Sequence, residues 1–510
     1  MADAPAGLSA ETADSAVPAE RTYLADEIFF STTDAQGRIR RANSTFMRLS
    51  GYPRGALVGR AHNVVRHEVM PAGVYRSIWD SLEQGRAVSA YITNKASDGS
   101  CYRVFGTIVP SGDGYLSVRT LPMLTDLRDQ METVYARVRE VEAASAEAGS
   151  TAREVAAAGQ AALLAELRAL GYRDIVEFTR QTLAAEVSAL VACGVDIPER
   201  PDAEGPVAEI LAGMNSIESS TGGLVALLDE CTRLVDLLGR RVADIGRLAA
   251  RLAGLREALR EACDGALSGQ HAQVDALLLE AAEELRPLAG QVEELRSDTD
   301  SVRFAIALLR LHNLAAGFFA NQVLDGADSL EANDAVGSLR ELVAALSGES
   351  VSLSQRLGLF RARAQLVAGD LELVAEALTD AEAPLGALVS ALAAQEAPQA
   401  ATGAAAPDAD GPAGEVPDTA QAPAPARPAT AADAGAVGFA GGPVCSAVPQ
   451  ELAGATPSVR AWTLAEGGFP EARALAEAAV AVRDLEVPDE SEAIAKALVG
   501  VRGALASLRR

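Results

Sequence analysis

The sequence predicts an α+β domain over residues 23–122, followed by a mainly α-helical bundle or coiled coil. Nearly all of the β-branched, aromatic and glycine-punctuated sequence lies in residues 23–122. The remainder is rich in Ala, Leu, Glu and Arg, which favour helices. In addition, one later stretch follows a strict heptad pattern. The change in composition near Pro122 therefore marks the boundary between two kinds of structure.

The expected order of elements in residues 23–122 is two strands, short helices and three strands. EIFFSTTDAQGRIRRAN predicts a β-hairpin, because an apolar run meets an Asp-x-x-Gly turn and alternation then resumes. STFMRLSGY and MPAGVYRSIWDSLEQG have helical spacing, and a glycine lies near the end of each. AVSAYITNKASDGSCYRVFGTIVP alternates on both sides of an Asp-Gly turn, and GYLSVRTLP supplies the last strand.

Residues 123–392 carry helical patterns throughout, and we expect a helical bundle or signalling region. The clearest pattern is a seam of apolar residues spaced alternately four and three apart: Leu224, Leu228, Cys231, Val235, Leu238, Val242, Ile245, Ala249 and Leu252. A second candidate seam comprises Phe304, Leu308, Leu311, Ala315 and Phe318. Such seams must be covered by another helix, and the pattern leaves open whether this chain or a second copy supplies it.

The two ends of the chain and one internal segment have their own composition. Residues 1–22 are expected to be disordered. Residues 393–445 are dominated by Ala, Pro, Gly and Asp, which cannot bury enough apolar surface to fold, and they predict a linker. Residues 446–510 return to helical spacing and predict a small helical C-terminal unit.

Charge and hydropathy exclude several classes of function. Lys and Arg number 44 against 70 Asp and Glu, giving a formal charge of −26, which opposes binding to nucleic acid. We find no run of about 18 uncharged apolar residues, and the acidic start lacks the pattern of a signal peptide. These features predict a cytoplasmic protein without a membrane span.

The chain also lacks the usual marks of an active site. Two of its four histidines lie in HNVVRHEVMP, residues 62–71, but a spacing of five places them on different faces of a helix. No phosphate-binding loop and no paired nucleophile and base can be identified. We therefore expect no catalytic residues, no metal ligands and no enzymatic activity.

A set of short motifs in residues 23–122 resembles the PAS domain of aerotaxis-receptor-type sensors. In order, these are FFSTTDAQGRI, AN, LSGY, LVG, HNVVRH, MP, W, N, DG followed by Y, and GYLSVRTLP. The resemblance implies a five-stranded antiparallel sheet with flanking helices that cradle FAD. Carried over residue by residue, the flavin-associated positions of the family are Asn43, Arg66, His67, Trp79 and Asn94. A guanidinium fork and an imidazole suit the anionic pyrophosphate of such a cofactor.

The sequence departs from the family pattern at several positions. Glu68 and Val69 replace the usual Pro-Asp, while Val88 and Arg103 replace two tryptophans. A PAS domain that is empty, or that holds another ligand such as haem, therefore remains an alternative.

The expected function is that of a signal-transduction protein. The PAS domain would sense redox state or oxygen through FAD and transmit the signal to the helical region, where protein partners act. Homodimerisation through the PAS domain or the helices is consistent with this reading. The alternative is a scaffold whose PAS domain holds no cofactor and serves dimerisation or partner binding.

Overall fold

The structure, a computed structural model, describes residues 20–263, 267–326, 330–402, 455–485 and 490–508. Residues 1–19 of the segment predicted to be disordered, 1–22, and residues 403–445 of the predicted linker, 393–445, therefore fall outside the described residues. The chain divides into two compact units. The first comprises Met1–Asp236, Glu294–Ala364 and Leu485–Arg510, and the second Leu237–Glu293 and Gln365–Asp484.

The first unit contains a five-stranded sheet in which every neighbouring pair is antiparallel. Its order is β2-β1-β5-β4-β3, so the first strand lies beside the last. The strands are β1 (Phe29–Asp34), β2 (Ile39–Ala42), β3 (Val88–Lys95), β4 (Cys101–Ser111) and β5 (Gly114–Thr120). The predicted order of two strands, short helices and three strands is confirmed, as is the five-stranded antiparallel sheet with flanking helices.

Short helices between β2 and β3 pack on one face of the sheet, which we call the inner face. They are α1 (Ser44–Ser50), α2 (Arg54–Leu57), a 3₁₀ helix (His62–Val65) and α3 (Ala72–Glu83). Phe46 and Leu49 of α1 pack with Phe29 and Tyr102 from the strands in an apolar core. The core fills one end of the inner face, and the other end remains open to a cavity described below.

A helical hairpin after the sheet contacts the back of α3. It consists of α4 (Thr125–Glu147) and α5 (Ala152–Ala169). Glycines allow close approach here, because a Cβ added to Gly73 would lie 2.2 Å from the carbonyl carbon of Gly159. Glu142 of α4 accepts hydrogen bonds from the backbone N–H groups of Ala72 (3.0 Å) and Gly73 (2.7 Å), and so caps α3.

Helix α6 (Ile175–Ala192) covers the opposite, outer face of the sheet. The N–H of Ser89 on β3 donates to Oγ1 of Thr179 on this helix, at 3.0 Å. Glu186, only 2% exposed, accepts hydrogen bonds from the Tyr91 hydroxyl and from the N–H groups of Met123 and Leu124. A single buried carboxylate therefore joins β3 to the residues that lead into α4.

Of the remaining helices, the first three are long, as the heptad patterns predict, and the last three are short. They are α7 (Pro206–Ala262), α8 (Ser268–Asp325), α9 (Leu330–Thr402), α10 (Pro457–Ala465), α11 (Pro470–Arg483) and α12 (Glu490–Ser507). Seven members of the first seam are buried: Leu224, Leu228, Cys231, Val235, Leu238, Ile245 and Leu252. Ala249 is half-buried, and the side chain of Val242 lies outside the described residues. The predicted helical region is confirmed, whereas its supercoiling stays a prediction.

The observed helices can be compared with two predicted boundaries, those of the linker and of the C-terminal unit. Helix α9 continues to Thr402, so residues 393–402 of the predicted linker are helical. Of the predicted C-terminal unit, residues 446–510, the helices α10 and α11 belong to the second compact unit and α12 to the first. Tertiary contacts divide this segment in a way that its composition does not reveal.

One helix in the described part of the chain is long and apolar enough, by length and composition alone, to cross a membrane. It is α8, whose most apolar 18-residue window has a mean hydropathy of 1.3. Within the fold, 78% of that window is buried. Burial of this extent is typical of a core helix, and the expected lack of a membrane span stays a prediction.

Candidate functional site

A cavity of about 400 Å³ lies between the inner face of the sheet and α3. Alternate residues of the strands form one wall: Ser31, Thr33, Ile92, Asn94, Ile108, Tyr115, Ser117 and Arg119. The 3₁₀ helix, the residues after it and α3 form the other: His62, Asn63, Val65, Arg66, Tyr75, Ile78, Trp79 and Leu82. The period of two along each strand brings these polar and apolar side chains to the same face.

Three of the five predicted site residues line this cavity. The guanidinium of Arg66 donates to the carbonyl oxygen of Met70 at 2.9 Å and lies 4.4 Å from the centre of the Tyr75 ring. Trp79 meets Tyr115 edge to face, with ring centres 5.4 Å apart. Asn94 is 2% exposed, and its side-chain nitrogen has no hydrogen-bond partner.

The other two predicted residues lie outside the cavity wall and make local hydrogen bonds. The side-chain oxygen of Asn43 accepts from the N–H groups of Phe30 and Phe46, both at 3.2 Å, so Asn43 caps α1 and holds it to β1. Nδ1 of His67 accepts from the N–H of Val69 at 3.1 Å. Burial lowers the pKa of His67, which favours its neutral form. Their predicted contact with a cofactor stays a prediction.

The positions that depart from the family pattern also lie away from the cavity. Glu68 forms an exposed ion pair with Lys95 at 2.9 Å. Arg103 points from β4 to Glu132 of α4, with 2.5 Å between the charged atoms, and also pairs with Glu20. Val88 is buried at the start of β3 and does not line the cavity. Glu68, Val88 and Arg103 therefore form no part of the cavity wall.

Sequence reasoning missed the most unusual residue of the site, Arg119 on β5. It is 3% exposed, and its Nη1 and Nη2 donate to Oγ of Ser31 (3.0 Å) and Nε2 of His62 (2.6 Å). The guanidinium carbon also lies 5.2 Å from the ring centre of Phe46. Among the described residues, no carboxylate forms an ion pair with it. The sequence GYLSVRTLP could have indicated Arg119 as a site residue, because alternation along a strand places Tyr115, Ser117 and Arg119 on one face.

Burial and charge determine the protonation of this pair. Burial and the positive charge of Arg119 lower the pKa of His62 to about 3, so the imidazole is neutral and accepts the hydrogen bond. Burial lowers the pKa of Arg119 to about 10, which leaves it charged at neutral pH. The cavity wall therefore contains a cation whose nearest partners are uncharged.

The residues of the cavity suit a flat heteroaromatic ligand such as the flavin ring. Aromatic and aliphatic side chains, including Trp79, Tyr115 and Ile92, offer apolar surface to a ring system. The unpartnered polar atoms, Nδ2 of Asn94 and Oγ of Ser117, can bond the carbonyl and nitrogen atoms at its edge. The volume lies within the range of roughly 300–1,000 Å³ for small-molecule sites.

Part of the chain is similar in sequence to two known proteins. No protein-family model matches the chain. It is 38% identical over 110 residues to the aerotaxis receptor of Escherichia coli strain K12, a match that covers 20% of this chain and 22% of the receptor. It is 30% identical over 83 residues to the nitrogen fixation regulatory protein of Klebsiella pneumoniae, covering 16% and 17%. The matches thus span about a fifth of the length of these relatives.

Part of the chain is also similar to two solved structures. They are the PAS domain of a Colwellia psychrerythraea protein (22% identity, TM-score 0.17, covering 18% of this chain and 84% of the other) and the LOV protein of Rhodobacter sphaeroides (18%, 0.19, 28% and 89%). The N-terminal region is a PAS domain. The PAS domain is followed by a helical region.

Proposed function

We propose that this protein is a cytoplasmic redox or oxygen sensor that binds FAD noncovalently in the cavity of its PAS domain. The observation that carries the proposal is the set of unpartnered polar groups in the cavity wall: Nδ2 of Asn94, Oγ of Ser117 and the charge of Arg119. Buried polar groups normally have partners, and a bound ligand would supply them. The likeness to an aerotaxis receptor over 110 residues adds support.

Each cavity residue has a distinct part in this proposal. Trp79 and Tyr115, which contact each other, offer aromatic surface to the ring, and Asn94 donates to an acceptor at its edge. Arg66, half-buried at the cavity wall, binds the phosphates through its guanidinium fork. The flavin itself would supply the redox chemistry, and the protein would supply binding, orientation and charge. We assign the protein no enzymatic activity.

Two sets of contacts can carry a change in the cavity to the helices. Trp79 lies on α3, whose start is capped by Glu142 of α4 and pressed against Gly159 of α5. Asn94 lies on β3, and Tyr91 of the same strand donates to Glu186 of α6. A ligand that shifts α3 or β3 in one redox state and not the other would thereby shift the helical region toward one of two arrangements. Protein partners would recognise that arrangement.

The visible absorption spectrum of the purified full chain, incubated with excess FAD and then desalted, tests the proposal. We expect the bands of oxidised flavin in the wild type. Arg66→Ala removes a charge-assisted hydrogen bond worth about 1.5–3 kcal/mol, so FAD affinity should fall by roughly one to two orders of magnitude. His67→Ala is the matched control because His67 lies outside the cavity wall, and we expect a smaller loss.

A colourless wild-type protein with an intact circular dichroism spectrum would contradict the proposal. The alternative would then apply, in which the PAS domain holds no cofactor and serves as a scaffold for dimerisation or partner binding. Loss of colour in His67→Ala but not in Arg66→Ala would instead show that the cofactor lies outside this cavity.

A further inference from the structure

The charge of Arg119 has no counterpart in the described part of the protein. Its two hydrogen-bond partners, Ser31 and His62, are uncharged, and its other neighbours include the rings of Phe29 and Phe46, at 5.8 and 5.2 Å, and three buried or half-buried tyrosines: Tyr23, Tyr75 and Tyr102. Exposed arginines are compensated by water, but this one is only 3% exposed. A buried cation without an anion is costly, because the transfer of charge out of water is repaid only by a charged partner.

The position of Arg119 indicates where that partner would lie. The residue lines the cavity together with Ser117, two residues before it on β5, and Ser117 has a buried hydroxyl without a partner. Asn94, on the same wall, also presents an unpartnered nitrogen. The polar groups of the wall thus include two donors and one positive charge. An electron-rich or negatively charged ligand complements that set of groups.

We propose that the uncompensated guanidinium of Arg119 makes the cavity bind the reduced, negatively charged form of flavin more tightly than the oxidised, neutral form. This inference rests on the proposed function, and it adds which redox state the site prefers and which residue causes the preference. Oxidised flavin is neutral near neutral pH, whereas reduced flavin becomes an anion when its ring N1 loses a proton. A fixed positive charge in a dry site distinguishes these two states strongly.

Such a preference would explain how a change in the redox state of the flavin alters the conformation of the protein. A ligand can shift a conformational equilibrium only by the difference in its free energy of interaction with the two states. If the reduced anion pairs with Arg119 and the oxidised ring does not, then the hydrogen bonds of Ser31 and His62 to that guanidinium change with redox state. Ser31 lies on β1, and His62 lies in the 3₁₀ helix that follows α2, so both sides of the cavity would sense the change.

Equilibrium binding of the full chain to FAD, measured anaerobically for the oxidised cofactor and for FAD reduced with dithionite, tests the inference. We expect the wild type to bind reduced FAD about tenfold or more tightly than oxidised FAD, since one charged hydrogen bond contributes about that factor. Tenfold corresponds to a midpoint potential about 30 mV above that of free FAD. Arg119→Met should bring the ratio close to one, and Arg119→Lys should keep most of it.

Arg66→Met is the matched control, because it removes an arginine from the same cavity. It should weaken both redox forms alike and leave the ratio unchanged. Thermal unfolding of ligand-free Arg119→Met checks its folding, and we expect it to be at least as stable as the wild type. The buried charge is gone there, and Ser31 and His62, already 3.5 Å apart, can bond each other.

The outcomes separate this inference from the proposed function. A wild type that binds FAD with a ratio near one, or an Arg119→Met protein that keeps the wild-type ratio, overturns the inference while the proposed function stands. A wild type that binds neither form overturns both. The wild-type ratio is measured without any substitution, so the test remains decisive even if Arg119→Met fails to fold.

Discussion

The two faces of the PAS sheet differ in how their buried charges are satisfied. At the outer face, the carboxylate of Glu186 accepts three hydrogen bonds, from Tyr91, Met123 and Leu124. At the inner face, the guanidinium of Arg119 has only neutral partners, and Asn94 and Ser117 carry polar atoms with none. The buried carboxylate of the outer face is thus fully hydrogen-bonded within the protein, whereas the buried cation of the inner face has binding capacity left over for a ligand.

The largest effect is expected from Glu186→Ala. This substitution leaves three buried donors unsatisfied and opens a small cavity, so unfolding of the PAS domain should require about 2–4 kcal/mol less free energy. Urea unfolding followed by the fluorescence of Trp79, in a Trp462→Phe background, measures the loss. Glu186→Gln keeps an acceptor and the side-chain volume and should lose less than half as much. Equal losses in the two variants would show that the hydrogen bonds do not stabilise the outer face.

The same carboxylate predicts a dependence of stability on pH. Burial raises the pKa of Glu186 above its ordinary value of 4.5. A raised pKa means that the folded state holds the proton more tightly, so this stabilisation is complete below pH 4.5 and is lost as pH rises through the folded-state pKa. The free energy of unfolding of the wild type, relative to Glu186→Gln, should therefore fall from pH 4.5 upward. If the free energy of unfolding relative to Glu186→Gln rises with pH instead, the three hydrogen bonds lower the pKa of Glu186 by more than burial raises it.

Two buried asparagines, Asn43 and Asn94, allow a side chain that is hydrogen-bonded to the backbone to be compared with one whose nitrogen has no partner. Asn43→Ala removes the cap of α1 and its bond to β1, and we expect a loss of about 1–2 kcal/mol in the unfolding free energy of the ligand-free protein. Its effect on FAD affinity should be no larger than that loss of stability explains. A stable Asn43→Ala protein that no longer binds FAD would restore Asn43 as a cofactor residue.

The smallest effect on stability is expected from Asn94→Ala. Because its side-chain nitrogen has no partner, the ligand-free protein should lose about 0.5 kcal/mol or less. The same substitution should weaken FAD binding about fivefold to tenfold, as loss of one hydrogen bond does. If Asn94→Ala destabilises the ligand-free protein as much as Asn43→Ala, then the side chain of Asn94 already bonds within the protein and is not available to a ligand.

Local patterns in the sequence were sufficient for the order of strands and helices. Alternation on both sides of Asp-x-x-Gly and Asp-Gly turns marked the hairpins, and spacings of three and four marked the long helices. These signals depend on neighbouring residues only, which is why they can be read without a structure. The motifs around HNVVRH added the PAS domain and, through Arg66, Trp79 and Asn94, part of the cavity wall.

Only the tertiary structure decided which polar residues are satisfied. Asn43 and Asn94 are the same residue type in two of the family motifs, yet one caps a helix and the other faces a cavity with an unpartnered nitrogen. Arg119 looks like an ordinary strand residue until His62, 57 positions earlier, is found beside it without a carboxylate in reach. Hydrogen bonding and burial depend on contacts between distant parts of the chain, and a linear pattern does not contain those distances.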